Sequence, residues 1–132
     1  QPGDVDPPPV KAPALPDGAW KRVILADDVL LFRYSALTFN GHRIHYDRQY
    51  VTQVEGYPGL VVHGPLLATL LVDHFRRHRP HDKLATFDFR AQRPVYDLAP
   101  FTVNLVDTET GADVWAADGD GYVAMTGRIG VA

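Results

Sequence analysis

The chain has 132 residues, 45% of them apolar, which is the length and composition of one globular domain with a core of its own. It contains no cysteine, so disulfides and thiolate metal sites are excluded, and its net charge of −3 argues against a broad nucleic-acid-binding surface. No apolar run reaches membrane-spanning length and the first residues lack the order of a signal peptide, so no membrane partner is expected and the expected compartment is the cytoplasm.

Residues 1–19 carry six of the eleven prolines and read as a linker or arm. Such a leader either joins the domain to an upstream one or lies over a sheet edge; since the chain starts at Gln1, a piece of a longer product is expected. The domain proper spans 20–132. Trp20 to Leu25 suits a short strand, and Asp27 or Asp28 can cap a helix through Val29, Leu30, Phe32 and Leu37. Asp47 is a second cap, for a short helix stopped by Gly56. The main helix is predicted from Gly64-Pro65 to before Pro80, because proline is pre-organised for the first helical position and needs no N–H there. Its apolar residues Leu66, Leu67, Leu70, Leu71, Val72 and Phe75 cover more than a stripe, so a sheet should envelop it. After it, 84–90 and 101–107 alternate with period two, with Ala85, Phe87 and Phe89 on the apolar side of the first. Turn residues at Thr110-Gly111 and 118–121 separate two further strands. One long buried helix followed by antiparallel strands is an α+β plan.

Candidate chemistry crowds residues 35–70. The loop Asn40-Gly41-His42-Arg43-Ile44-His45 brings an amide and two imidazoles together, and Val62-His63-Gly64-Pro65 offers backbone N–H groups at the positive end of an apolar helix. A base and an anion hole are therefore close in sequence.

At FRYSALTFNGHRIHYD and GLVVHGPLLATLL the sequence resembles the MaoC-like, R-specific enoyl-thioester hydratases and dehydratases, which have the hotdog fold, an antiparallel sheet wrapped around one long helix. The family loop L-S-G-D-x-N-P-x-H-x-D aligns with residues 37–47, keeping His45 and Asp47 but placing Asn40 for the aspartate, His42 for the asparagine and Arg43 for the proline. With EGYPGLVVHGP, this form is most similar to a subgroup containing the mesaconyl-C4-CoA hydratases and the mitochondrial type 2 hydroxyacyl-thioester dehydratases. Members of that subgroup often join two hotdog halves in one chain. The resemblance therefore implies pairing, as a homodimer or with a second hotdog domain, and a mitochondrial location if the source is eukaryotic. It implies an acyl-CoA or acyl-carrier-protein thioester as substrate and no further cofactor.

Under that resemblance His45 is the base, since imidazole can take and return a proton near neutral pH. Asn40 cannot titrate and is expected to orient water. Gly64 supplies the oxyanion N–H, its missing side chain letting a thioester approach. His42 is either a second titrating partner or substrate contact, or a solvated loop residue. His63 is grouped with the substrate-binding residues as the one that holds the turn. Arg43 matches a carboxylate in bidentate fashion and suits a dicarboxylic acyl group, with solvation as the plainer alternative. Arg90 and Arg93, like Arg76, Arg77 and Arg79, are candidates for coenzyme phosphates or an acidic carrier, unless merely solvated.

Three rival readings follow from the same residues. His74 and His78 share a helix face, but no H-E-x-x-H pattern or third ligand accompanies them, and no metal is expected. A hotdog thioesterase would place an acidic residue on the loop or helix. Asn40 also admits a non-catalytic half that binds acyl thioesters without turnover.

Overall fold

The computed structural model describes residues 8–132. Its elements are β1 (Trp20–Ile24), α1 (Asp28–Leu37), a single 3-10 turn (Arg43–His45), α2 (Arg48–Gln53), α3 (Gly64–His78), β2 (Leu84–Ala91), β3 (Phe101–Asp107), β4 (Gly111–Ala117) and β5 (Val123–Val131). The strands form one antiparallel sheet in the order β1-β3-β4-β5-β2. The arrangement is the α+β hotdog fold expected from the sequence.

Local chemistry sets the helix starts. Asp27 accepts from the Leu30 amide at 2.8 Å and Asp47 from the Tyr50 amide at 3.0 Å, so each carboxylate satisfies an orphan donor at the first turn. Gly56, at φ 77°, turns the chain after α2 in a region that L side chains avoid. Helix α3 begins at the Gly64-Pro65 pair and buries Leu66, Leu67, Ala68, Leu71 and Phe75 against β3, β4 and β5. Each leucine or phenylalanine among them contributes roughly 1.5–3 kcal/mol by leaving water. Envelopment is one-sided: Leu70 and Val72 are half-buried and Thr69 is exposed, because the sheet curls around one flank of the helix only.

Strand β2 departs furthest from its pattern. It is an edge strand with a register shift between Leu84 and Thr86, and of its alternating apolar residues only Phe87 is partly buried, while Ala85 and Phe89 are exposed. Alternation reported the face and not the burial, since β2 lies past the reach of α3. At Gly111 a Cβ would stand 1.9 Å from the Ile129 carbonyl oxygen, so glycine is required where β4 meets β5.

Within the described part of the leader, Val10 to Ala12 lie against the sheet. Val123 N–H donates to the Val10 carbonyl and Ala12 N–H to the Gly121 carbonyl, both at 2.8 Å. Ala12 packs on a separate apolar cluster of Trp115, Ala117 and Val123, away from the core under α3. Residues 1–7 of the leader fall outside the described residues. Among the described residues no helix is long and apolar enough to cross a membrane.

Candidate active site

Three elements converge at the N-terminal end of α3. Helix α1 presents Ser35 on the same buried face as Leu31, four residues earlier. The 3-10 turn that follows the Asn40 loop buries His45. The extended residues 60–62 then lead into His63 and Gly64, held by Val61 N–H to the Ile44 carbonyl and Val62 N–H to the Val95 carbonyl.

His45 is oriented by its Nδ1, which donates to the Val61 carbonyl at 2.7 Å. A carbonyl only accepts, so this bond places the proton on Nδ1 and leaves the Nε2 lone pair as the basic site. Burial pushes its pKa below the usual histidine range; the Val61 carbonyl works against that shift and the nearby His42 adds to it. The ring stacks on His63 at 3.8 Å between centroids and 18° between planes. His63 is fully buried and shares a 2.7 Å hydrogen bond between Nε2 and Ser35 Oγ. Burial, and secondarily His45, lower its pKa to about 4, so it is neutral throughout the physiological range.

Gly64 follows directly. As the first residue of α3 its N–H has no intrahelical acceptor, Pro65 has none to offer, and a Cβ built on Gly64 would meet nothing within 4 Å. The positive end of a fifteen-residue helix thus begins directly after His63, on which His45 stacks, with open space at the missing Gly64 side chain. Asn40 lines a 310 Å³ hollow with Ser35, Phe39 and Tyr46, and its Oδ1 accepts from the His42 amide at 3.1 Å. His42 itself stands edge-on to His45 at 5.9 Å.

The arginines are distributed more widely. Arg43 donates from Nε and Nη2 to Asp47 at 3.1 and 2.9 Å and lies over the Tyr50 ring, so any substrate carboxylate must compete with Asp47. Arg93 pairs with Asp118 at 3.3 Å over Tyr122, whereas Arg90 is exposed; both border a hollow of about 630 Å³ between the leader and residues 90–96. That hollow is bounded by Tyr96, which bridges to Val61, so it adjoins the strand that holds His45. Arg76, Arg77 and Arg79 sit at the opposite end of α3, about 20 Å from Gly64 at 1.5 Å per residue. There Arg77 pairs with Asp73, and Arg79 with Asp82 and Asp107. His74 and His78 turn toward β1, where His74 Nε2 donates to the Trp20 carbonyl and His78 packs on the indole. Among the described residues no group of three or more His, Asp or Glu could hold a metal ion.

Sequence reasoning missed Ser35, the Val61 carbonyl and the Arg48–Asp97 clamp. Asp97 accepts from Arg48 and from the Leu60 amide, fixing the segment that carries Val61. A hydroxyl at Ser35, one turn from Leu31 on an apolar helix face, was the available signal. The backbone acceptor had none.

The model of the family described as hydroxyacyl-thioester dehydratase type 2 matches residues 3–97. Over 123 residues the chain is 47% identical to the mesaconyl-C(4)-CoA hydratase of Chloroflexus aurantiacus, covering 93% of this chain and 43% of that protein. The chain thus spans less than half the length of the curated relatives it matches. Among solved structures, an (R)-hydratase from A. caviae involved in PHA biosynthesis superposes with a TM-score of 0.75 at 16% identity, over 86% of this chain and 92% of that one. The ChsH1-ChsH2 complex of Mycobacterium tuberculosis gives 0.73 at 16%, over 93% and 97%. At those identities the superpositions establish the fold.

Proposed function

Since the chain belongs to the hydroxyacyl-thioester dehydratase type 2 family, we propose that it is a hydro-lyase acting across the C2–C3 bond of an enoyl thioester. The observation that carries this is His45, with its proton fixed on Nδ1 by Val61, its Nε2 uncommitted, and its ring stacked on His63, the residue before the glycine-fronted start of α3. In the hydration direction Nε2 takes a proton from water, the hydroxide oxygen bonds to C3, and the electron pair moves through C2 to the thioester oxygen. The Gly64 N–H and the helix dipole stabilise that oxyanion. The imidazolium then returns its proton to C2 as the enolate collapses, so one base serves both transfers and atoms balance. Asn40, which cannot titrate, orients the water through its amide. Dehydration is the same path reversed.

The substrate we read is a coenzyme A thioester, with a mesaconyl-type dicarboxylic acyl group supported by the 47% identity to the Chloroflexus enzyme. A 3-hydroxyacyl-carrier-protein is the alternative carrier, and its phosphate would meet Arg90, which borders the 630 Å³ hollow. Pairing with a second hotdog unit, a copy of this chain or another domain, is supported by exposed apolar residues near the site. Leu37 is 81% exposed and Phe39, held at φ 55°, is 95% exposed. A cysteine-free chain suits the cytoplasm or the mitochondrial matrix. The test is loss of enoyl-thioester absorbance with crotonyl-CoA and mesaconyl-C4-CoA, for wild type and His45→Ala. Turnover by wild type alone supports the reading; binding with no turnover by either makes the chain a non-catalytic half, and an active His45→Ala removes the mechanism.

A further inference from the structure

The base has a second imidazole beneath it that the hydration chemistry does not use. We propose that His63 is a positioning residue for this reaction: clamped by Ser35 and stacked under His45, it fixes the plane of the catalytic ring and so aims Nε2 at the reacting water. The inference rests on the hydro-lyase reading above.

Geometry makes the case first. The single bond from Nδ1 to the Val61 carbonyl at 2.7 Å fixes one point of the His45 ring and leaves it free to tilt about that bond. A face-to-face contact at 3.8 Å and 18° removes that freedom. His63 can serve as the reference because it is itself held on two sides, by Ser35 Oγ at 2.7 Å and by the edge-on Tyr34 ring at 4.7 Å. Orientation is thus relayed from α1 through His63 to a base in the loop that follows α1. A leucine would line the same wall more cheaply, since buried His63 leaves Nδ1 without a hydrogen-bond partner among the described residues.

Charge points the same way. The titratable groups around the pair are His42, edge-on to His45, and Tyr34, edge-on to His63. With its pKa lowered to about 4, His63 remains neutral when His45 takes its proton, and a neutral ring face beneath an imidazolium is a favourable neighbour. Two rings that both charged would repel.

The experiment pairs kinetics with imidazole NMR on the full chain. His63→Gln keeps a group for Ser35 but removes the stacked ring; His63→Phe keeps a ring and removes the hydrogen bond; Ser35→Ala removes only the clamp. With crotonyl-CoA, His63→Gln is expected to lower kcat about 10- to 100-fold with KM within about threefold. His63→Phe and Ser35→Ala should fall between it and wild type. The His45 titration midpoint, read by NMR without any substrate, should rise toward the ordinary histidine value in His63→Gln as water reaches the ring. Folded variants with wild-type kcat, or an unmoved His45 midpoint in both His63→Gln and Ser35→Ala, overturn the proposal. Should wild type turn over no thioester while the midpoint still moves, the hydro-lyase reading fails and the positional coupling stands. Should His63→Gln not fold, Ser35→Ala decides by the same two readouts.

Discussion

Buried histidines lie near both ends of helix α3, His45 and His63 before its first residue and His74 in its last turns, and the two ends use the same side chain differently. At the C-terminal end His74 donates to the Trp20 carbonyl, and His78 faces Asp107 and the Trp20 ring. Arg76, Arg77 and Arg79 surround them, as suits the negative end of a helix dipole. At the N-terminal end His45 commits Nδ1 to Val61 and keeps Nε2 uncommitted, and its ring stacks on His63, which precedes the unpaired amide N–H groups of the helix start. Burial lowers the pKa of His74 as it does that of His45, so a depressed imidazole alone marks neither end as a site. What distinguishes them is an uncommitted Nε2 on a ring stacked against the residue that precedes a glycine-fronted helix start.

The sharpest way to break this comparison is to remove one histidine at each end. His45→Ala should lose about 10³- to 10⁴-fold in kcat with an enoyl thioester, whereas His74→Ala should retain kcat within about threefold while lowering the melting temperature. Equal losses would mean that the ends are not functionally different. Acid provides the next test, read by urea unfolding between pH 7 and 4. His63 has a folded pKa lowered to about 4, so below its ordinary value of 6.5 the unfolded state binds the proton first. Stability from this group is complete above pH 6.5 and falls as pH drops toward 4, by roughly 3 kcal/mol in all. His63→Phe should flatten that slope; an unchanged slope would contradict a neutral buried His63.

Gly64→Ala comes next. The new methyl meets no protein atom within 4 Å, so the fold should be unaffected, but it occupies the approach to the N–H and should lower kcat/KM about 100-fold. Activity close to wild type would remove Gly64 from the oxyanion role. The smallest effect is expected of Ser35→Ala on stability. It leaves a fully buried imidazole without its partner, at a cost of about 1–3 kcal/mol by chemical denaturation.

Much of this was legible because it is local. Asp27, Asp47 and Gly64-Pro65 each act on the first turn of their own helix, so the three helix starts could be read from neighbouring residues. Strands β2 and β3 followed from their alternation, and β4 and β5 from the turn residues that separate them. Burial on β2 did not, because Phe89 has the right period and lies on an edge strand that α3 does not cover. The candidate site divides along the same line. His45, Asn40 and Gly64 stand in recognisable stretches, while Ser35 meets His63 across 28 residues and His45 meets the Val61 carbonyl across 16. No short-range pattern encodes either contact, and a backbone carbonyl has no residue type to betray it. Arg43 is a local case again, since its partner Asp47 stands four residues on, at a spacing that favours an ion pair on one face.

Under the proposed reaction one imidazole, His45, is the group whose free base drives turnover. The direct measurement sets the pH dependence of kcat/KM for crotonyl-CoA beside the NMR titration of His45 in the same protein. The expected result is an acidic limb that falls through the His45 midpoint, below the ordinary histidine value of about 6.5 because the ring is buried. A limb that follows another group, or activity that persists after His45 is fully protonated, would contradict it.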